Sequence, residues 1–412
     1  MQQLSSPPRA SSAPAAPRVT PTPRALPPQR ALLLSLGVAA FMVSLDGRVV
    51  APLLPTIARD FHTSIANAGW LVSGYMLPYG FCQLGYGPLA DRFGKVRVAA
   101  YAMVAFSIGT ALCGAFPSFG AIVLLRALTG AAAAGLIPLS IAYIGDTVPY
   151  AQRQAALAML MASTGAAQAF STSAGGTIAA VVSWRTVFPI LGALAGCATA
   201  ALFVFRKREI RIVADPTRPQ PGYGDALRAP LVVPLLLLVA FEGSMYMGGF
   251  SFLSGLLETR FALGSLHIGL ILGLSGVGQL VTARLLPRLL RSMSERQLLW
   301  AGGSAMGTAF LLNAAAPHWA WVAAGCAVSG VGFTLCHSTM QTRATEAFTR
   351  SRGTALALFA FSLFAGAALG TVCVGYAADA LGYTITFAAA GCLLLAFTVI
   401  AVRVLGTRVS DD

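Results

Sequence analysis

Apolar residues in this chain come in blocks of about twenty, the length a helix needs to cross about 30 Å of hydrocarbon at 1.5 Å per residue. Short connections bearing arginine or glycine separate the blocks. The pattern predicts helices near residues 31–57, 67–90, 96–116, 119–144, 153–181, 185–205, 230–257, 265–287, 297–316, 319–343, 352–378 and 383–404. Only helices and closed barrels satisfy their backbone in lipid, and blocks of this length specify a helix bundle. Trp70, Trp184, Trp300, Trp319 and Trp321 each fall at a predicted helix end, where an amphipathic ring prefers the headgroup layer. The longest interior connection, near 206–229, is polar and basic with Pro216, Pro219 and Pro221, and it divides the blocks six and six. The expected organisation is a tail over 1–29, a six-helix bundle over 30–205, a linker over 206–229, a second bundle over 230–404 and a short tail over 405–412.

Composition agrees, since 56% of the 412 residues are hydrophobic and 10% charged, against about 25% charged in an average soluble domain. The net charge of +14 raises the question of nucleic acid, because basic chains often bind phosphate backbones. Position answers it. Of the 28 Lys and Arg residues, all but Arg48, Arg59, Arg126, Arg185 and Arg260 fall in the tails or in the connections that share a face with them. That asymmetry is the positive-inside bias; it places both termini in the cytoplasm and the chain, multi-pass, in the inner (plasma) membrane, with no nucleic-acid partner. Residues 1–29 carry eight prolines, with Ser, Ala and Arg but no acid and no apolar core, so the reading is a disordered tail and not a signal peptide. An organellar transit peptide shares that composition. The seven cysteines lie inside predicted spans without CxxC or Cys/His spacing, so buried, reduced packing residues are expected and no metal site.

The halves echo one another. Gly145-Asp146 through Arg153-Gln154-Ala155-Ala156-Leu157-Ala158 resembles Thr345-Glu346 through Arg352-Gly353-Thr354-Ala355-Leu356-Ala357, about 200 residues later, the signal expected of transporters built from repeats. Between the second and third helices stands Gly87-Pro88-Leu89-Ala90-Asp91-Arg92-Phe93-Gly94-Lys95-Val96-Arg97. This stretch resembles the loop signature G-x-L-a-D-r-x-G-r-k-r of the major facilitator superfamily, with Val96 the one departure. The resemblance covers everything after the N-terminal tail and implies twelve transmembrane helices in two pseudo-symmetric six-helix bundles, an all-α membrane protein. It also implies a conformational gate of Gly87, Asp91, Arg92, Gly94, Lys95, Arg97, Asp146, Arg153, Glu346 and Arg352, in which Asp146 with Arg153, spaced D-x6-R, and Glu346 with Arg352 resemble the superfamily's cytoplasmic charge-relay pairs. Gly87 would let helices approach, Gly94 would permit the tight turn, and Asp91 would pair with basic groups and a helix N-terminus. In the second half Leu286-Pro287-Arg288 stands where Ala90-Asp91-Arg92 stands in the first, so a lock there must be weaker or differently built.

Asp46, Arg48, Arg126 and Glu242 fall inside the apolar blocks, and an intramembrane ion marks a functional site by default. Arg126 sits in Leu124-Leu125-Arg126-Ala127-Leu128-Thr129-Gly130, which resembles the R-x-x-q-G motif of proton-coupled members; snorkelling to the nearer surface is its alternative. Asp46 lies in Leu45-Asp46-Gly47-Arg48-Val49-Val50-Ala51-Pro52-Leu53-Leu54-Pro55, which looks like the L-D-x-T-I-V-N-V-A-L-P first-helix signature of drug:proton antiporters, with Arg48 in place of the threonine. Asp46 and Arg48 point about 200° apart on a helix, so Asp46 is expected to couple with Arg126, as a proton site or as a static pair. Glu242 in the seventh helix is the second candidate proton carrier. Arg48, Gln168, His337 and Gln341 are the candidate cavity residues, His337 and Gln341 lying one turn apart. In the fifth helix Ser171-Thr172 replaces the Gly-Pro of the exporters' g-x-x-x-G-P-x-x-G-G while Gly175-Gly176 survives, which leaves the direction of transport open.

The resemblance thus implies a monomeric secondary transporter, with protons, a small-molecule substrate and the lipid bilayer as partners and with no cofactor. Its expected activity is proton-coupled efflux of a small amphipathic or drug-like molecule. Proton-driven uptake of a small metabolite, with an anion met by Arg48 and Arg126, is the alternative, and a non-transporting membrane sensor the remote one. No HExxH, GxSxG or Walker loop is present, so an enzyme is not expected.

Overall fold

The computed structural model describes residues 27–206 and 222–405. The predicted tail before residue 27, most of the linker (207–221) and the tail from 406 lie outside the described residues. Ten helices are long and apolar enough to cross a membrane. They are α1 (Arg30–Asp60), α3 (Lys95–Cys113), α4 (Phe119–Thr147), α6 (Trp184–Phe205), α7 (Val232–Phe261), α8 (Ser265–Ser292), α9 (Glu295–Ala315), α10 (Trp319–Ala347), α11 (Arg352–Leu381) and α12 (Tyr383–Leu405). Two more helices, α2 (Trp70–Phe93) and α5 (Tyr150–Val181), have the length but carry more glycine, glutamine, serine and tyrosine. Twelve long helices among the described residues put the start of α1 and the end of α12 on one face of the bundle, here the terminal face, opposite the far face.

The helices begin and break where their residues dictate. Ser294 and Gln297 form a reciprocal capping box at the start of α9, and Ser183 and Ser351 cap α6 and α11. In α1 the α-helix stops at Val49 and one 3₁₀ turn, Ala51–Leu53, intervenes before it resumes. Pro52 has no N–H for the carbonyl of Arg48, and its ring would clash there. In α7 the segment Gly243–Gly248 is π-helical, a local widening that often marks a functional site. Gly94, between α2 and α3, has φ 97° and ψ 139°, which a side chain would strain.

Six helices pack on each side in matching fashion: α1 on α5, α2 on α4 and α3 on α6 in the first half, α7 on α11, α8 on α10 and α9 on α12 in the second. The halves meet along two seams, α2 against α11 and α5 against α8. The two helices that fall short of the membrane-crossing hydropathy are therefore the two that the first half presents to the second. Their polar and small residues face protein, where a large apolar side chain would hold the backbones apart. Gly175 would press a methyl onto Val49 of α1, and Gly176 one onto Ser265 and Gly269 of α8, so the glycine pair seats α5 between its own bundle and the opposite one.

Contacts across the seams concentrate toward the far face. Arg59 of α1 pairs with Glu258 of α7, Thr56 and Ser265 share a hydrogen bond, Ser73 donates to the Ala368 carbonyl at 2.9 Å, and Tyr376 of α11 donates to Asn67 at 2.9 Å. Toward the terminal face the same helices become exposed, over residues 85–93 of α2, 150–162 of α5 and 283–292 of α8. The halves are closed at the far face and diverge from it.

Several expectations are corrected. Trp184 opens α6 but is buried, against Phe61 and Phe188, while the other four tryptophans are exposed at helix ends. Cys113, Cys326 and Cys336 are buried, but Cys197, Cys373 and Cys392 are exposed on the bundle's outer surface and Cys82 is partly so. The expected linker contains a helical turn, Tyr223–Leu227, whose Ala226 is fully buried and whose Tyr223 hydroxyl donates to the Leu84 carbonyl at 2.9 Å. Burial pushes the Tyr223 phenol above its usual range.

Candidate functional site

The break in α1 and the start of α4 bring Asp46 and Arg126 together. Arg126 Nη1 donates to Asp46 Oδ2 at 2.6 Å, and the two side chains are 1% and 0% exposed. The guanidinium also reaches the Leu71 carbonyl at 3.3 Å and lies 4.2 Å from the centre of the Tyr75 ring. Arg126 therefore does not snorkel; it is fixed against α1 and α2 inside the first half. Among the described residues neither Asp46 Oδ1 nor the Tyr75 hydroxyl has a hydrogen-bond partner.

In the second half the corresponding helices, α7 and α10, carry a second pair. His337 Nδ1 lies 2.8 Å from Glu242 Oε2, with Glu242 fully buried. The imidazole sits between Phe333 and Phe359, at 4.7 and 5.0 Å between centroids. Tyr246, one turn beyond Glu242, stacks on Phe333 at 4.5 Å and shares a 2.9 Å hydrogen bond with Ser275. Gln279 reaches both of these hydroxyls. Among the described residues Glu242 Oε1 has no nitrogen or oxygen donor, and the weakly donating Cys336 thiol lies beside the carboxylate. Arg126 stands seven residues into α4 and His337 eighteen into α10, both counted from the far face, so the two pairs differ in depth by about 16 Å.

Arg48 projects the other way from Asp46, toward the second half. Its guanidinium lies 5.6 Å from the Phe250 ring of α7 and makes no hydrogen bond or ion pair among the described residues. Gln168 is half-buried on α5 and Gln341 exposed on α10. No hydrogen bond joins either to His337, so the expected cavity set is not one cluster in this conformation.

The expected gate residues are arranged differently from the reading of the repeats. Asp146 pairs with Lys95 across α3 and α4, not with Arg153; Arg153 donates to the Val148 carbonyl at 3.5 Å instead. Glu346 pairs with Arg343 at 3.5 Å, not with Arg352, and Arg343 also meets Glu295 at 2.6 Å. Asp91 is exposed and forms no ion pair among the described residues, Arg92 lies over Phe93, and Arg97 is exposed at the start of α3. A side chain at Gly87 would meet nothing within 4 Å, so no helix approaches it here. Lys95 on α3 with Asp146 on α4 corresponds by helix to Glu295 on α9 with Arg343 on α10, with the signs reversed. The second half has kept an ion pair at this place and exchanged acid for base.

Tyr75, Tyr246, Gln279, Glu295 and Arg343 were not singled out in the sequence. Tyr246 had a signal, lying one helical turn from Glu242, and Arg343 lay three residues before Glu346 on the same helix. Tyr75 had none, because its role comes from the crossing of α2 and α4.

The chain belongs to the Major Facilitator Superfamily, whose family model matches residues 36–351, and is a multi-pass membrane transporter of that fold. It is similar to the MFS-type transporter YceJ of Bacillus subtilis (strain 168), at 28% identity over 345 residues, 82% of this chain and 86% of that protein. It is similar to the efflux pump bfoC of Aspergillus brasiliensis at 31% identity over 281 residues, 67% of this chain but 47% of that longer protein. Among solved structures, a bacterial homologue of the human lysosomal transporter Spinster, in an inward-facing, occupied conformation, superposes with a TM-score of 0.76 at 17% identity. That match covers 92% of this chain and 97% of the other, and establishes the shared fold.

Proposed function

We propose that the protein exports a small amphipathic molecule from the cytoplasm in exchange for protons, by alternating access of one cavity between its two halves. The observation that carries this reading is the recurrence of a buried, half-satisfied carboxylate pair on corresponding helices, Asp46 with Arg126 and Glu242 with His337. A carboxylate removed from water needs its partner, and protonation weakens that need. Each pair can thus hold one arrangement when ionised and release it when neutral. Arg126 also grips α2 at Leu71 and Tyr75. Because α2 forms a seam, the charge state of Asp46 is felt where the halves meet.

The positive residues of the terminal face support placing that face in the cytoplasm, and the seam contacts then describe a molecule closed to the outside. Asp91, which forms no ion pair here among the described residues, would engage when the cytoplasmic side closes. Export is favoured by similarity to the efflux pump bfoC. Uptake of an anion held by Arg48 and Arg126 together is disfavoured, since Arg126 is already committed to Asp46.

The test is movement of radiolabelled amphipathic probes, one cationic, one neutral and one anionic, into inside-out proteoliposomes under an imposed pH gradient. Accumulation of at least one probe that collapses with the gradient, and falls in Asp46→Asn and Glu242→Gln, is expected. Gradient-independent movement, or full activity in both variants, overturns the scheme.

A further inference from the structure

Among the described residues Arg48 is the mid-span charge that the two proton pairs leave unused. It stands twelve residues from Asp60 and eighteen from Arg30, about 18 and 27 Å of helix, so its head cannot reach either membrane surface. It is 9% exposed and, among the described residues, has neither a hydrogen bond nor an ion-paired acid, whereas a buried ion is ordinarily paired. The Phe250 ring face gives it only a weak cation–π contact. Its position is built, because Pro52 breaks α1 one turn later and the π-helical segment of α7 brings Met247 opposite it. The crevice it enters lies between the halves, walled by Val72 and Met76 of α2 and by Met247, Phe250 and Ser251 of α7, and it encloses about 10 Å³, room for about one water.

We propose that Arg48 is the recognition group for the transported solute, and that the solute is a monoanionic amphipath. Its carboxylate would meet the guanidinium fork while its apolar body lies against Met76, Met247 and Phe250. The inference rests on the export reading and names the substrate class for it. Three features select this class. A guanidinium offers two parallel donors to a carboxylate. A single cation in an otherwise apolar crevice leaves a doubly charged phosphate half-compensated. Thioether and aromatic walls suit a flat or flexible apolar body. The crevice in this conformation is too small for such a body, so the ligand binds the conformer in which α2 and α7 have separated. Its better affinity for that state is what shifts the balance between states.

Equilibrium binding of 2-naphthoate, 2-naphthamide and 2-naphthylmethylammonium to the purified full chain in detergent tests this, with no gradient applied. The acid is expected to bind at least tenfold more tightly than the amide, and the ammonium not at all. Arg48→Gln should erase the preference for the acid, Arg48→Lys should keep part of it, and Arg48→Glu should transfer it to the ammonium. Equal affinity of acid and amide for the native chain overturns the proposal, whatever the variants do, and so does an acid preference that survives in well-folded Arg48→Gln. Full gradient-driven transport in both Asp46→Asn and Glu242→Gln, with naphthoate binding intact, would strike the coupling scheme and leave this site standing.

Discussion

Gly176 on α5 and Gly269 on α8 stand face to face across the seam between the halves, so close that a methyl built on either would come within 2.9 Å of the other's Cα. Both also lie beside the backbone of the opposing helix, at Ser265 and Thr172. This approach closes the far face, and it depends on the absence of two side chains.

A wedge at this point should open the closed face. Gly269→Val places branched carbons where backbone atoms now sit, and rigid overpacking costs about 1–3 kcal/mol, an amount able to invert a balance between two states separated by a few kcal/mol. Cysteines placed at Thr56 and Ser265 should gain reactivity toward a membrane-impermeant maleimide added outside by about tenfold or more. Unchanged labelling would show that the glycine contact does not hold the seal.

Removing one partner of the deepest ion pair should cost more than removing both. Arg126→Leu leaves Asp46 charged and buried, a penalty of about 3–5 kcal/mol. Thermal unfolding in detergent should show a large loss for Arg126→Leu and substantial recovery in the Asp46→Leu, Arg126→Leu double variant. Additive losses would mean that the pair is not coupled as the 2.6 Å contact requires.

His337 should set the pH response of the second pair. His337→Gln keeps a hydrogen-bonding side chain for Glu242 but not an ionisable one. Transport measured from pH 5 to 8 should lose one limb of its pH profile in that variant while the chain still folds. A profile superimposable on the native one would remove His337 from coupling and leave it a structural neighbour of Phe333 and Phe359.

The sign-reversed pair of the second half offers a direct exchange. Glu295→Arg and Arg343→Glu, made singly, place like charges together at the ends of α9 and α10. Each should lower transport several-fold with little loss of stability, because partly exposed pairs contribute about 0–1 kcal/mol. Made together they reproduce the sign pattern of Lys95 and Asp146 and should restore most of the activity. Failure of the double variant to recover would show that the pair's orientation matters beyond its charge balance.

The twelve helices were legible along the chain to within a few residues, because covering the hydrocarbon layer is a local requirement met by each block separately. So was the turn at Gly94, where a positive φ suits glycine. The meeting of Asp46 with Arg126 was accessible too, since few ions lie in lipid and each needs a partner. The pairings at the helix ends were not: repeat spacing suggested Asp146 with Arg153 and Glu346 with Arg352, whereas the folded chain joins Lys95 to Asp146 and Arg343 to Glu295.

Linear order thus dictates which segments enter the membrane and which residues remain charged there. Packing of one bundle on the other decides which of those charges are answered: Asp46 and Glu242 find partners within their own halves, and Arg48 is left facing the opposite one. The reason is geometric. Burial across a bilayer acts on each helix alone, while charge pairing depends on the rotation and crossing of helices up to about 200 residues apart, which no periodicity in a single helix encodes.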